Sequence, residues 1–481
     1  MKKKSLTINA VLNMTKQLCA VLFPLITVPY VSRVLQKTNY GKVTFGSSIV
    51  SYFILLASLG ISNYAIREGA RIRDDKKAVG TFASQIFTIN VTFSVLSYFL
   101  LALLLIFSAK MQSYQALIMV QSLSIVLTLV GADWVNSLYE DYFYLTIRYI
   151  LMHTVGLILM FLFVKTPEDY MKYAAITVFA TSGGNLFNVL YIRKYVHLRV
   201  VRNVEWKKHL PPVFVLFFNS VATTVYVNSG TTILGLLQSE EAVGIYGLSS
   251  KIYTVVKQMM NAIIAVSIPR FSQFLGKNDR EGYNKLSNTI LTALCIIIFP
   301  ACVGLLSLSK DIIRIVGGSE YLPGANALMI LSASLIFAVV GSFYSWTVFI
   351  PFKQEKVCLF ASVVSAVLNI ALNFVLIPTM SYNGAALTTL IAEITLLGIY
   401  LVKGRGLVKI HFSPRTVSSV LFGCGAVWGI CTAFRMIPMG SSLRVMVCIV
   451  VSVIAYFLIH VLFRSEFVMD ALKNVKKIRK K

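Results

Sequence analysis

Residues 287–308 read SNTILTALCIIIFPACVGLLSL, a stretch of 22 residues without a charged side chain. A helix of roughly 20 apolar residues crosses the hydrocarbon core of a bilayer. The stretch therefore predicts a membrane-spanning helix. Thirteen further apolar runs lie on either side of it, separated by short polar loops. They comprise residues 10–32, 43–66, 79–109, 114–132, 143–164, 173–192, 211–237, 244–268, 323–349, 357–377, 384–402, 416–434 and 445–463.

The composition of the whole chain favours the same fold class. Of its 481 residues, 57% are hydrophobic and 13% are charged, and the mean hydropathy is +0.75. Soluble domains carry about 25% charged residues, so this composition excludes an assembly of soluble catalytic domains. The sequence predicts an all-α polytopic membrane protein with about 14 transmembrane helices.

The net charge of +26 arises from 45 Lys and Arg residues against 19 Asp and Glu residues. On a soluble protein, such a charge would indicate a nucleic-acid partner. Here the basic residues concentrate in alternate loops, for example in residues 67–77 and 193–208. The positive-inside rule then predicts that both termini are cytoplasmic. We therefore attribute the net charge to the loops on the cytoplasmic side, where it sets the membrane topology and attracts anionic lipids. No nucleic-acid partner is expected.

Short matches between the two parts of the chain indicate an internal repeat. Their offsets are 202, 211 and 209 residues, and Gly41 aligns with Gly244 after a one-residue insertion. The matches pair Leu35-Gln36 with Leu237-Gln238, Ala174-Ala175-Ile176-Thr177 with Ala385-Ala386-Leu387-Thr388, and Tyr191-x-x-Lys194 with Tyr400-x-x-Lys403. We predict two six-helix lobes, residues 1–210 and 211–410, followed by two further helices and a basic tail in 411–481. Parallel repeats of this kind are typical of carriers that alternate access to a site at the lobe interface. Chance similarity among apolar helices is the alternative.

Four basic residues are the candidate substrate-binding groups. They are Lys16, Arg33, Lys251 and Lys257, which lie within the apolar runs or at their ends. Charged groups in hydrocarbon are costly and usually face a cavity, so together they predict a cationic cavity for a phosphate or diphosphate. The alternatives are snorkelling of Lys16 to the membrane surface and an interfacial anchor role for Arg33.

Polar residues within the runs provide the remaining candidates. Glu393 either pairs with a lysine or acts as a proton or cation site. The amides Asn219, Asn228, Asn369 and Asn373 are candidate glycan contacts, although hydrogen bonds between helices would also explain them. The loop acids Asp74, Asp75, Glu140 and Asp141 are expected to be solvated.

The sequence contains no arrangement typical of catalysis. It has no HExxH, GxSxG or P-loop motif, and its five histidines are dispersed. The seven cysteines fall in apolar runs without a CxxC pair. We therefore predict neither an enzyme, a metal site nor a cofactor.

Several longer stretches resemble the polysaccharide-transport (Wzx-type) family of lipid-linked oligosaccharide flippases, within the multidrug/oligosaccharidyl-lipid/polysaccharide (MOP) exporter superfamily. The resemblance covers nearly the whole chain. It rests on residues 59–70 (LGISNYAIREGA), 131–134 (GADW), 140–148, 226–235, 244–257 and 269–270, and on Asn369, Asn373, Pro378, 384–386 (GAA) and Glu393.

The resemblance implies a fourteen-helix carrier of undecaprenyl-diphosphate-linked repeat units for capsule, O-antigen or related glycans. It also implies a location in the bacterial cytoplasmic membrane and a connection to polysaccharide polymerase machinery. Lys16, Lys251 and Lys257 would match the family's cationic cavity. An acidic residue that is common after Asn228-Ser229 in the family is replaced here by Gly230, which leaves the coupling ion open. The alternative function is a multidrug or organic-cation antiporter of the same superfamily, although such a cavity should be acidic.

Overall fold

The computed structural model describes residues 6–469, and the side chains in that range except those of 6–11, 13 and 219. Within this part the chain is helical and contains no β-strand, which confirms the all-α prediction. The helices are α1 (Leu6–Ser58), α2 (Ile61–Ile72), α3 (Lys76–Phe107), α4 (Ala109–Gln112), α5 (Gln115–Gly131), α6 (Asp133–Leu138), α7 (Tyr142–Phe163), α8 (Tyr170–Val178), α9 (Asn185–Tyr191), α10 (Trp206–Leu237), α11 (Glu240–Gly276), α12 (Arg280–Gly317), α13 (Ala325–Phe343), α14 (Glu355–Lys403), α15 (Pro414–Met436) and α16 (Ser441–Leu462).

Twelve helices or helix runs of the described residues are long and apolar enough to cross a membrane. Two of them contain a break in backbone geometry, at Gln36 in α1 and at Ser381 in α14. α1 has 53 residues and α14 has 49. At about 1.5 Å per residue each exceeds two bilayer crossings of about 30 Å. Dividing both at their breaks gives about fourteen spans, in agreement with the sequence.

The chain forms two compact units, Met1–Gly244 and Ile245–Lys481. The first unit contains α1–α10 and the first turn of α11, and the second contains the rest of α11 and α12–α16. The lobe boundary at residue 210 that the sequence suggested stays a prediction.

α1 is the central helix of the first unit, where it packs against α3, α5, α7 and α10. At its end the chain turns into α2 through Leu59 and Gly60, both with positive φ. A Cβ on Gly60 would lie 3.2 Å from the backbone of Leu216 in α10. Glycine therefore meets two needs here, a left-handed conformation and a close helix approach. The turn is buried, because Leu59, Ile61 and Trp134 belong to one apolar core cluster.

In the second unit α12 contacts α13, α15 and α16, and α13 packs along α14. The α15–α16 pair is joined to α12 by apolar contacts of Val427, Cys431 and Cys448 with Leu308. A buried ion pair adds to this contact, since Nη1 of Arg444 lies 2.8 Å from Oδ1 of Asp311.

Candidate functional site

A buried ion pair in the second unit joins two residues selected from the sequence. Nζ of Lys257 in α11 lies 2.7 Å from Oε1 of Glu393 in α14, and the two side chains are 23% and 3% exposed. The hydroxyl of Tyr253, one turn before Lys257, donates to the same oxygen at 3.0 Å. Glu393 therefore neutralises Lys257 inside the helix bundle, so the pairing alternative is the arrangement observed.

Lys251 lies on α11 six residues before Lys257, which places the two side chains about 120° apart around the helix axis. Its side chain is exposed. In the part of the chain that the structure describes, it forms no ion pair with any carboxylate. Lys251 is therefore the more accessible of the two lysines.

In the first unit, Lys16 lies half-buried in α1 against α7. Its Nζ is 5.6 Å from the centre of the Tyr149 ring, within the range of a cation–π contact. His153 stacks on the same ring, with 3.9 Å between the ring centroids. The charges of Asp133 and Arg148 also act on Lys16. Lys16 is thus one member of a charged and aromatic cluster.

That cluster contains an ion pair that the sequence analysis did not select. Nη2 of Arg148 in α7 donates to both carboxylate oxygens of Asp133, at 2.7 and 2.6 Å. Nδ2 of Asn188 also donates to Asp133, at 3.0 Å. The arginine is 11% exposed and the aspartate 45%, so the carboxylate side of the pair faces open space. In the sequence, the GADW stretch at 131–134, which contains Asp133, is the feature that could have indicated this ion pair.

The other candidates are not brought together by the structure. Arg33 lies on the exposed face of α1. Asn228 in α10 donates to the carbonyl oxygen of Thr224 at 3.1 Å, within its own helix. The side chain of Asn219 lies outside the described residues.

Asn369 and Asn373 are buried in a network that spans the break in α14. Nδ2 of Asn373 donates to Oδ1 of Asn369 at 2.9 Å. The hydroxyl of Thr388, beyond the break at Ser381, donates to Oδ1 of Asn373 at 2.6 Å. In this structure, Asn373 thus holds together the two arms of one bent helix.

The expectation of a solvated Asp141 is wrong. This carboxylate is buried, and its Oδ2 accepts hydrogen bonds from the hydroxyls of Tyr191 and Tyr195, both at 2.7 Å. Nζ of Lys194 lies 3.2 Å from the same oxygen. The burial has a physical reason, because three donors replace the water that the carboxylate loses. Asp141 therefore joins the start of α7 to the end of α9 and to the residues that follow it.

A family model described as polysaccharide biosynthesis protein matches residues 6–275, and one described as MatE matches residues 216–375. The first match covers more than half of the chain. The chain belongs to the polysaccharide biosynthesis protein family. This membership confirms the resemblance to Wzx-type carriers of the MOP superfamily.

Individual relatives and solved structures agree with the family. The chain is 25% identical over 398 residues to a putative O-antigen transporter of Escherichia coli (strain K12), covering 81% of this chain and 94% of that protein. It is also 25% identical over 251 residues to the probable low-salt glycan biosynthesis flippase Agl15 of Haloferax volcanii, covering 51% of this chain and 52% of that protein. The structure of the lipid II flippase MurJ in an inward closed conformation has the same fold. Its TM-score is 0.76 at 15% identity, covering 97% of this chain and all of that one.

Proposed function

We propose that this protein is a flippase that moves an undecaprenyl-diphosphate-linked oligosaccharide across the bacterial cytoplasmic membrane by alternating access. The translocated unit would serve the assembly of capsule, O-antigen or a related surface polysaccharide. The names of the O-antigen transporter and the glycan flippase among its relatives support this substrate class.

The observation that carries the proposal is a half-buried lysine in a membrane-length helix of each unit, Lys16 in α1 and Lys257 in α11. A cation in this position costs free energy unless it serves a polar site. A diphosphate that leaves the headgroup layer loses hydration, and fixed cations offset that loss. We assign diphosphate binding to Lys16, Arg33, Lys251 and Lys257.

The pairing of Lys257 with Glu393 gives the two lysines of α11 different roles. The diphosphate must compete with the Glu393 carboxylate for Lys257, whereas Lys251 is exposed. We propose that Lys251 makes the first contact with the diphosphate. Lys257 would then pair alternately with the Glu393 carboxylate inside the protein and with the diphosphate of the substrate.

An apolar groove in the second unit suits the lipid part of this substrate. It lies along α12, α15 and α16, and its wall includes Pro300, Gly304, Val427, Ile449 and Val453. A polyprenyl chain buried there would keep its apolar surface away from the polar path of the glycan.

We further propose that both termini are cytoplasmic, on the basis of the basic loops. Anionic lipids would then contact those loops, and polysaccharide polymerase machinery would receive the translocated glycan on the outer face. The proposed cycle makes and breaks no covalent bond, so the protein would be a carrier and not an enzyme.

Organic-cation antiport is the second candidate function, because the MatE model matches residues 216–375. An organic-cation cavity should attract positive charge. Among the candidate site residues of α11 and α14 there are two cations, Lys251 and Lys257, and one carboxylate, that of Glu393. This excess of positive charge favours an anion instead.

The proposal is tested in cells and in liposomes. Deleting the gene should cause a lipid-linked glycan to accumulate on the cytoplasmic leaflet, and the purified protein should flip that glycolipid in proteoliposomes. Accumulation on the outer leaflet would indicate a polymerase instead. Proton-driven uptake of tetraphenylphosphonium without glycolipid flipping would favour the antiporter.

A further inference from the structure

A polar pocket lies in the first unit where three helices are interrupted. Leu59 and Gly60 break the chain between α1 and α2, and Ala132 breaks it between α5 and α6, all with positive φ. A π-helical turn, Phe179–Gly183, precedes α9. Residues next to each interruption line the pocket. Irregular backbone at membrane depth is tolerated where it lines a polar cavity or is buried in protein, and interrupted helices often form the substrate sites of carriers.

Half of the residues that line the pocket have a polar side chain. Its polar lining residues are Ser58, Ser62, Asn90, Ser94, Thr128 and Asn185, together with Asp133. The pocket has a cavity volume of about 80 Å³. This volume is below the range of about 300–1,000 Å³ typical of complete small-molecule sites, so the pocket suits one ring of a glycan and not a whole glycan.

Two features show hydrogen-bonding capacity that the described residues leave unused. Ser94 is 3% exposed, and its Oγ has no hydrogen-bond partner among them. A buried hydroxyl without a partner is destabilising. The first turn of α2, which contributes Ile61 and Ser62 to the wall, has no side-chain cap. A ligand with several hydroxyl groups would satisfy both features.

The charge of the pocket favours an uncharged ligand. Asp133 is its one ionisable lining residue, and both of its oxygens accept from Arg148. A metal cation would have to displace the arginine to use that carboxylate. An anion would meet the carboxylate, and Lys16, which belongs to the same charged cluster as Asp133, does not line the pocket. The neutral oxygen and nitrogen groups that remain match the hydroxyls and the acetamido group of a sugar.

We propose that this pocket binds one uncharged sugar ring of the lipid-linked oligosaccharide and contributes to glycan selectivity. This inference rests on the proposed flippase function. It assigns glycan contact to Ser94, Thr128 and Asn185 of the first unit, separately from the lysines proposed for the diphosphate.

Ser94→Ala is the most discriminating variant. It removes a buried unpartnered hydroxyl, so the ligand-free protein should be at least as stable as the wild type to heat. Affinity for the lipid-linked repeat unit should fall about two- to tenfold, the effect of one hydrogen bond. A structural role for Ser94 would lower stability and leave the affinity unchanged.

Thr128→Trp fills the pocket from an exposed position of α5, and Thr92→Trp on an exposed position of α3 outside the pocket is its control. The probes are the lipid-linked repeat unit from the deletion strain, undecaprenyl diphosphate without sugar, and sodium chloride. Thr128→Trp should reduce glycolipid flipping at least tenfold and abolish the extra thermal stabilisation that the sugar adds. The stabilisation by undecaprenyl diphosphate should persist, and Thr92→Trp should behave like the wild type.

Wild-type glycolipid affinity and flipping in both Ser94→Ala and Thr128→Trp would overturn the pocket assignment alone. A wild-type protein that flips no glycolipid would overturn the flippase function itself. Stabilisation by sodium ions that requires Ser94 and Thr128, without any effect of the sugar, would identify a cation site and overturn the proposal.

Discussion

Gly41 and Gly244, which the predicted internal repeat aligns, each lie against the helix that carries the other. A Cβ on Gly41 would overlap the carbonyl oxygen of Glu240, and a Cβ on Gly244 would overlap that of Lys37. Lys37 and Glu240 have the same separation of 203 residues as the two glycines. The two contacts are therefore reciprocal, since each glycine meets the carbonyl oxygen of the residue four positions before the other glycine.

Replacing Gly41 or Gly244 by alanine should destabilise the protein. Alanine in place of glycine normally stabilises a helix by about 1 kcal/mol, but here the added methyl group would force two backbones apart. We expect a net loss of about 1–3 kcal/mol, as for an overpacked core. Thermal unfolding of the purified variants in detergent measures the loss.

Gly398→Ala is the matched control, because nothing lies within 4 Å of a Cβ at this position of α14. Its melting temperature should equal or exceed that of the wild type. Equal melting temperatures for Gly41→Ala and Gly398→Ala would show that α1 and α11 do not require the close approach.

The helical spans could be predicted because hydropathy depends only on the local sequence. Pairing of Glu393 with a lysine was one predicted alternative, but Lys257 could not be singled out as the partner, because it lies 136 residues away and the pairing depends on the relative rotation of α11 and α14. Asp133 and Arg148 were missed because Asp133 directly follows an apolar run and Arg148 lies in the first turns of the next one, where a charge is usually solvated. Asp141 was misjudged because the two tyrosines that bury it, Tyr191 at the end of α9 and Tyr195 after it, lie 50 and 54 residues further along the chain.

Lys257 and Glu393 should behave as a coupled pair in a double-mutant cycle. Lys257→Ala leaves a buried carboxylate without its cation, which should cost about 3–5 kcal/mol. The double variant Lys257→Met with Glu393→Leu should recover most of that stability, because no charge is left unpaired. Its glycolipid flipping should stay low if Lys257 also binds the diphosphate. Thermal unfolding and proteoliposome flipping are measured on the same preparations.

Lys251→Gln separates the binding role of a lysine from the ion pair. Because Lys251 is exposed, the melting temperature of the Lys251→Gln variant should match that of the wild type. Flipping should still fall, through a higher KM for the glycolipid. Unchanged flipping by Lys251→Gln would remove this residue from the proposed diphosphate site.

Tyr191→Phe and Tyr195→Phe should each destabilise the first unit by about 1.5–3 kcal/mol, the range for hydrogen bonds to a charged group. Each change removes one donor from buried Asp141 and keeps the ring. Tyr142→Phe is the control, since the described residues offer its hydroxyl no hydrogen-bond partner. A melting temperature for Tyr191→Phe equal to that of Tyr142→Phe would mean that Lys194 alone satisfies the carboxylate.

Arg444→Ala should loosen the α15–α16 pair from α12. The change leaves Asp311 buried without its cation, a loss of about 3–5 kcal/mol by the same reasoning as for Lys257.

The consequence can be localised, because Cys448 of α16 and Cys302 of α12 are both buried free thiols. In variants that keep one cysteine, maleimide should label Cys448 faster after Arg444→Ala, while Cys302, which contacts Ser332 of α13, should keep its slow rate. The charge-exchanged double variant Asp311→Arg with Arg444→Asp should partly restore protection of Cys448. Equal acceleration at both thiols would indicate global unfolding, and no acceleration at either would show that the apolar contacts with Leu308 hold the helices in place.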